Sequence, residues 1–354
     1  MLRKNTIIAL LPFIVITSVD CLAKEPLPDT RAGSTSTAEA SLLWEQGQKA
    51  FQSESYQEAV NQLKRLIDRY PGVKGFTEAH YLLGSSFIEL KRPKEALHPL
   101  RYYVSANGKT EAGLNGRVKL AEAYLMLKKF NEAYLTAGEI VSARATKKDN
   151  VASKSILTKG LLSKAEALVG LNRDVRAEQS IDAAKKVLSQ MATEKLPIDK
   201  TIVGELRGLT HLSELQLKLK KCSRFPTAKK LPERQVKDQM DRRGLCLVEA
   251  SVPLMKTVEA KHKKAISKAT AGYLTAFGSY FKACENPPKG AEKRSSKQEA
   301  NYKAELAYML KENCKARQNE SLEILNGAKD RLELEDREYV SQLVEQLNKL
   351  SWKN

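Results

Sequence analysis

Five cysteines and four histidines are the residues best equipped for chemistry in this chain of 354 residues. They are Cys21, Cys222, Cys246, Cys284 and Cys314, with His80, His98, His211 and His262. A thiolate beside an imidazole makes a nucleophile, and sets of the two hold zinc. Neither pattern is present in the sequence: there is no C-x-x-C, no H-E-x-x-H and no cysteine beside a histidine. The phosphate-cradling glycine loops are missing as well. Carboxylate pairs are plentiful, but they sit on charged, helix-patterned stretches. The expectation is therefore a protein that is not an enzyme and uses no cofactor and no metal. Disulfide formation is the chemistry that remains.

Whether disulfides form depends on compartment. Arg3 and Lys4 precede an apolar run from Ile7 to Val19, followed by Asp20 and "CLAKEP". The run is too short for a bilayer span, which needs about 20 residues. A basic start, a short apolar core and small residues afterwards form a secretory signal. Small residues three before and one before the cut place cleavage after Ala23, so residues 1–23 are read as the signal peptide. Lipid attachment at Cys21 is the competing reading, and Asp20 disfavours it. With Cys21 removed, an even set remains: Cys222, Cys246, Cys284 and Cys314. In an exported chain that reads as two disulfides. Of three pairings, the simplest joins Cys222 to Cys246 and Cys284 to Cys314, across the breaks "SRFPTAKKLPE" and "ENPPKGAEKRSS".

The formal charge is +18. It is concentrated in residues 221–320, which hold 22 Lys+Arg against 11 Asp+Glu. Export argues against nucleic acid and for anionic envelope polymers, lipid headgroups or acidic proteins. No membrane span is expected in the mature chain. The stretch "KTVEAKHKKAISK" carries Lys256, Lys261, Lys263, Lys264 and Lys268, spread around a helix.

Internal repetition sets the architecture. "ASLLWEQGQKAFQSESYQEAVNQLKRLIDRYP" aligns with "TEAHYLLGSSFIELKRPKEALHPLRYYVSANG" and "LNGRVKLAEAYLMLKKFNEAYLTAGEIVSARA". Small residues recur at Gly47, Gly84 and Ala121, and alanines at Ala59, Ala96 and Ala133, each 37 residues apart. A fourth copy is looser, with Ala165, Ala177 and Ala184. Small residues in both arms allow close packing of a helical hairpin. Pro71 ends a second helix, since proline cannot continue one.

On these residues the chain resembles the tetratricopeptide repeat. "SYQEAVNQLKRLIDRYPG" is similar to periplasmic members of diderm bacteria, such as those of outer-membrane β-barrel assembly and of cell-division constriction. The resemblance implies an all-α protein, with a hairpin superhelix over 40–190; before it, residues 24–39, rich in Pro, Ser, Thr and Gly, read as a flexible leader. Periodic apolar residues such as Leu206, Leu209, Leu212 and Leu215 carry helix on through 195–354, a helical domain braced by the disulfides. The resemblance also implies a concave groove lined by fixed first-helix positions. These are Ser41, Trp44, Gln48 and Phe51; Glu78, Tyr81, Ser85 and Ile88; Asn115, Val118, Glu122 and Leu125; and Lys159, Leu162, Glu166 and Val169. The function expected is a periplasmic adaptor that holds another protein or peptide in this groove. The alternative is a structural or ligand-binding subunit whose basic second half grips an anionic polymer or membrane surface.

Overall fold

The computed structural model describes residues 33–71, 76–144, 150–193, 199–225, 232–287, 294–330 and 332–350. The signal segment, its cleavage site and Cys21 lie outside them. Thirteen α-helices and no strand occur among the described residues. Eight form four hairpins: α1 (Gly33–Gln52) with α2 (Tyr56–Arg69), α3 (Thr77–Glu89) with α4 (Pro93–Asn107), α5 (Glu111–Met126) with α6 (Phe130–Arg144), and α7 (Val151–Gly170) with α8 (Asp174–Thr193). Helix α1 begins at Gly33, so the flexible leader expected through residue 39 is helical over its last seven residues. Among the described side chains of α1, the first buried ones are Ala40 and Leu43. A helix once nucleated extends cheaply into adjoining residues.

The hairpins close because small residues meet large ones. A Cβ on Gly47 would sit 2.7 Å from Leu63, and one on Gly84 would sit 2.5 Å from Leu100, the equivalent residue one repeat later. Ala59, Ala96, Ala133, Ala177, Ala121 and Ala165 are all fully buried. Each turn between the arms places one residue in the left-handed region: Glu54, Lys91, Lys128 and Asn172, with φ between 57° and 60°. Around it the chain makes the same bonds each time, for example Lys91 N to Ile88 O and Arg92 N to Phe87 O. That geometry satisfies the carbonyls left open at a helix end, usually with glycine. Here other residues bear the conformational cost.

First helices touch first helices: α1 packs on α3, α3 on α5 and α5 on α7. Each second helix packs between the first helix of its own hairpin and that of the next. The first helices therefore form the inner layer of the superhelix. Helix α9 (Lys200–Cys222) continues that layer against α7 and α8. Leu217 of α9 joins the cluster of Ala165, Leu168, Ala177 and Ile181 from repeat four. The apolar stacking thus runs past residue 195, where the sequence pattern of the repeats fades.

Helices α10 (Glu233–Glu259), α11 (Lys263–Glu285), α12 (Ser296–Lys329) and α13 (Leu334–Lys349) complete the second half. Tyr273, Phe277 and Tyr280 are fully buried at its centre. The Tyr273 hydroxyl lies 2.6 Å from Ser251 Oγ, and 3.2 Å from the Leu247 carbonyl to which it donates, so its polar tip is satisfied. Lys261, between α10 and α11, repeats the left-handed turn of the first half at φ 57°. The position equivalent to Gly47 and Gly84 is Leu254 here, so this hairpin keeps the turn but not the small-residue contact.

Candidate partner-binding groove

The inner layer carries the residues expected to line a groove, and their environments differ. At the repeat-one end, Trp44, Gln48 and Phe51 of α1 are half-buried. Trp44 packs toward Phe76 with ring centres 6.0 Å apart, and Phe51 meets Tyr56 edge-on at 5.7 Å. On α3, Tyr81 lies against Tyr103 at 5.1 Å, and the Tyr103 hydroxyl donates to Glu78 at 2.7 Å. Leu125 is half-buried against the same apolar cluster. Val118 packs against Leu114, Ile140 and Ile156, between repeats three and four.

Three expected lining residues belong to the interior. Ser85 is 1% exposed and Ile88 is 2% exposed. Helix α3 is flanked by first helices on both sides, α1 and α5, and by both neighbouring second helices, so its middle and last turns are enclosed. In repeat four Leu162 is buried as well. The apolar strip is thus discontinuous: aromatic at the first repeats, interrupted at Ile88, and charged beyond.

The charged stretch has a definite pattern. Lys119 pairs with Glu122 one turn on at 3.0 Å. Burial pushes the Glu122 carboxyl up, but Lys119, helped by Lys268 and Lys264, outweighs it and holds the group below its ordinary value. Lys119 is correspondingly raised: burial opposes its charge, but Glu122, Tyr81 and Glu89 prevail. Tyr81 is raised mainly by burial. Glu166 on α7 occupies the repeat position of Glu122, and burial raises it, with Glu122 adding to the effect. Lys268 and a hydrogen bond from Gln216 oppose that rise without overcoming it. Lys264 of α11 reaches Glu89 of α3 at 2.7 Å. The second half therefore faces the groove. Lys119, Glu89 and the α11 lysines were missed as a set, because only the Lys119/Glu122 spacing is local.

The five lysines of 256–268 do not form one patch. Lys261 pairs with Glu333 at 2.6 Å, Lys263 with Glu335 at 2.8 Å, and Lys264 with Glu89 across the groove. Lys256 lines a separate cleft of about 440 Å³ between α8, α9 and α10, together with Ile181, Leu217, Val252 and Pro253. The carboxylates of α13 and α3 take up charge that an anionic ligand would need.

The cysteines pair locally. Cys222 lies with its sulfur 2.09 Å from that of Cys246, and Cys284 faces Cys314 with a Cα separation of 6.8 Å. Each bridge ties the end of one helix to the middle of the next. Among the described residues no group of His, Cys, Asp and Glu has metal-binding geometry, and no helix is long and apolar enough to cross a membrane. His80 stacks on Tyr102 at 4.0 Å, and burial lowers its pKa. His98 is exposed. His211 contacts Glu214 at 2.7 Å, and His262 precedes α11 beside Gly208.

Stacked hairpins with a common turn and an inner layer of first helices define the class: an all-α, helical-hairpin array of the tetratricopeptide type. No family model matches the chain, and no curated protein does. Among solved structures it is similar to a tetratricopeptide repeat protein from Parabacteroides merdae ATCC 43184, at 13% identity and a TM-score of 0.39. That similarity covers 88% of this chain and 99% of the other. The class rests on the hairpin geometry itself.

Proposed function

We propose that the protein is an exported adaptor of the bacterial envelope that holds a protein or peptide partner along the repeat-one end of its groove. The observation that carries this reading is the set of half-buried aromatics Trp44, Phe51 and Tyr81 on successive first helices, beside the polar Gln48. Aromatics with one accessible face are the usual anchors of an interface. The paired cysteines support an oxidising compartment, where such bonds persist. Periplasmic residence follows from this reading together with the N-terminal signal. The polymer-binding alternative has less support, because Lys261, Lys263 and Lys264 each already face a carboxylate.

Trp44→Ala and Tyr81→Ala test the groove. Cross-linked capture from native envelopes should recover the partner at least tenfold less well with either variant, a loss of about 1.4 kcal/mol or more. Leu135→Ala is the control, since Leu135 is exposed on α6, a second helix. Tyr81 also packs on Tyr103, so its loss costs stability as well, and each variant's unfolding midpoint must be measured beside recovery. Full recovery with lowered stability would make these rings interior packing and end the groove reading.

Export is tested separately. The intact mass of the secreted protein should correspond to a chain starting at Lys24 with no lipid. A diacylglycerol on Cys21 would overturn both the cleavage after Ala23 and the even cysteine count.

A further inference from the structure

The charged stretch of the groove is not empty space awaiting a ligand, because part of the chain already lies across it. Lys264 and Lys268 are four residues apart on α11, so both project from one face of that helix. Opposite them stand Glu89, Glu122 and Glu166, one from each of three successive first helices, α3, α5 and α7. Lys264 pairs with Glu89, whose side chain is only 16% exposed. Lys268 is exposed and acts on both Glu122 and Glu166, without an ion pair of its own among the described residues.

We propose that the amino end of α11 is the resident occupant of this acidic stretch, and that a partner enters it by presenting basic side chains one helical turn apart in place of Lys264 and Lys268. The proposal rests on the adaptor reading and specifies what the partner brings to the deeper half of the same groove.

Three observations make the occupant displaceable. The backbone of α11 packs on α9, α10, α12 and α13, and approaches none of α3, α5 or α7. The contact is therefore made by side-chain charge across a gap, not by apolar packing. Lys264 is 61% exposed, and an ion pair with one partner mostly in water is weak and screened by salt. Glu166 is half-buried with a neutral hydrogen-bond partner, Gln216, so a closer cation would favour its charged form.

The test uses the full-length secreted protein and a synthetic, end-capped peptide of residues 259–275 as probe, followed by fluorescence anisotropy at low salt. In the wild type the acidic stretch is occupied. Lys264→Gln with Lys268→Gln should free it, and the peptide should bind at least tenfold tighter than to the wild type. Adding Glu122→Gln and Glu166→Gln should remove the gain. Gln replacements leave no new negative charge to attract the peptide non-specifically, and Lys303→Gln with Lys315→Gln, on α12, should leave binding at the wild-type level. Circular dichroism melting confirms that each variant is folded; Lys264→Gln alone, expected to give a smaller gain, serves if the double variant is not. Equal affinity for released and wild-type protein, including no binding to either, overturns the proposal. The aromatic end of the groove is read out by capture with Trp44→Ala and Tyr81→Ala, so the two readings fail independently.

Discussion

Gly113→Ala is expected to destabilise the repeat array by about 3 kcal/mol or more, the upper part of the range for forcing atoms into a packed site. Gly113 lies in the first turn of α5, and its N–H donates to the Thr110 side chain at 3.2 Å. A Cβ there would fall directly on the carbonyl oxygen of Gly108, with the carbonyl of Asn107 at 3.0 Å. Both are backbone groups, so no side chain can rotate away. The turn has little freedom of its own. Gly108 holds φ 54° and ψ −128°, and its carbonyl accepts from Arg117. Gly138 of α6 is the opposite case, because a Cβ there meets nothing within 4 Å. Gly138→Ala should stabilise by about 0.5 to 1 kcal/mol, the usual gain from removing a helix-interior glycine. Denaturant unfolding of both variants checks the contrast. Similar, small effects at the two positions would show that the α4–α5 turn is not packed as described.

Removing either disulfide should cost about 3 to 4 kcal/mol, as expected for loops of this size. The sequence separations are 24 and 30 residues. Cys284 and Cys314 are both fully buried, so Cys284→Ser with Cys314→Ser also leaves two hydroxyls in the aromatic core of the second half. Ala in place of Ser separates out the hydroxyl cost: the Ala pair should lose the chain constraint and the packing of two sulfur atoms, without burying polar groups. Non-reducing peptide mapping should recover Cys222 linked to Cys246 and Cys284 linked to Cys314. Crossed links would contradict the helix placement, and four free thiols would contradict export.

The repeats are legible in the sequence because their determinants are local. Gly47 and Gly84, with Ala59, Ala96 and Ala133, fix which faces of adjacent helices touch, and the turns at Glu54, Lys91 and Lys128 follow in the same register. Local pairing of the cysteines was readable for the same reason. What could not be read depends on how helices distant in sequence curve past one another. Ser85 and Ile88 occupy groove positions by repeat phase, yet α3 is enclosed on both sides and they belong to the interior. The continuation of the inner layer into α9 is carried by Leu217, an ordinary leucine in an ordinary helix. The α10–α11 turn repeats the left-handed geometry with Lys261 and without the small-residue signature. Above all, the pairing of Lys264 with Glu89 joins a lysine-rich helix start, which by itself reads as a solvated face, to the last residue of a mostly apolar helix far away in the sequence.

The central claim is that a protein partner is held on the inner face of the first repeats. A photo-reactive amino acid placed at Gln48, on that face, tests it most directly when compared with one at Asn61, exposed on the second helix of the same hairpin. In cells exporting each variant, illumination should yield one discrete cross-linked partner from position 48 and none from position 61. Cross-links from position 61 but not 48 would place the partner on the outer surface and contradict the account.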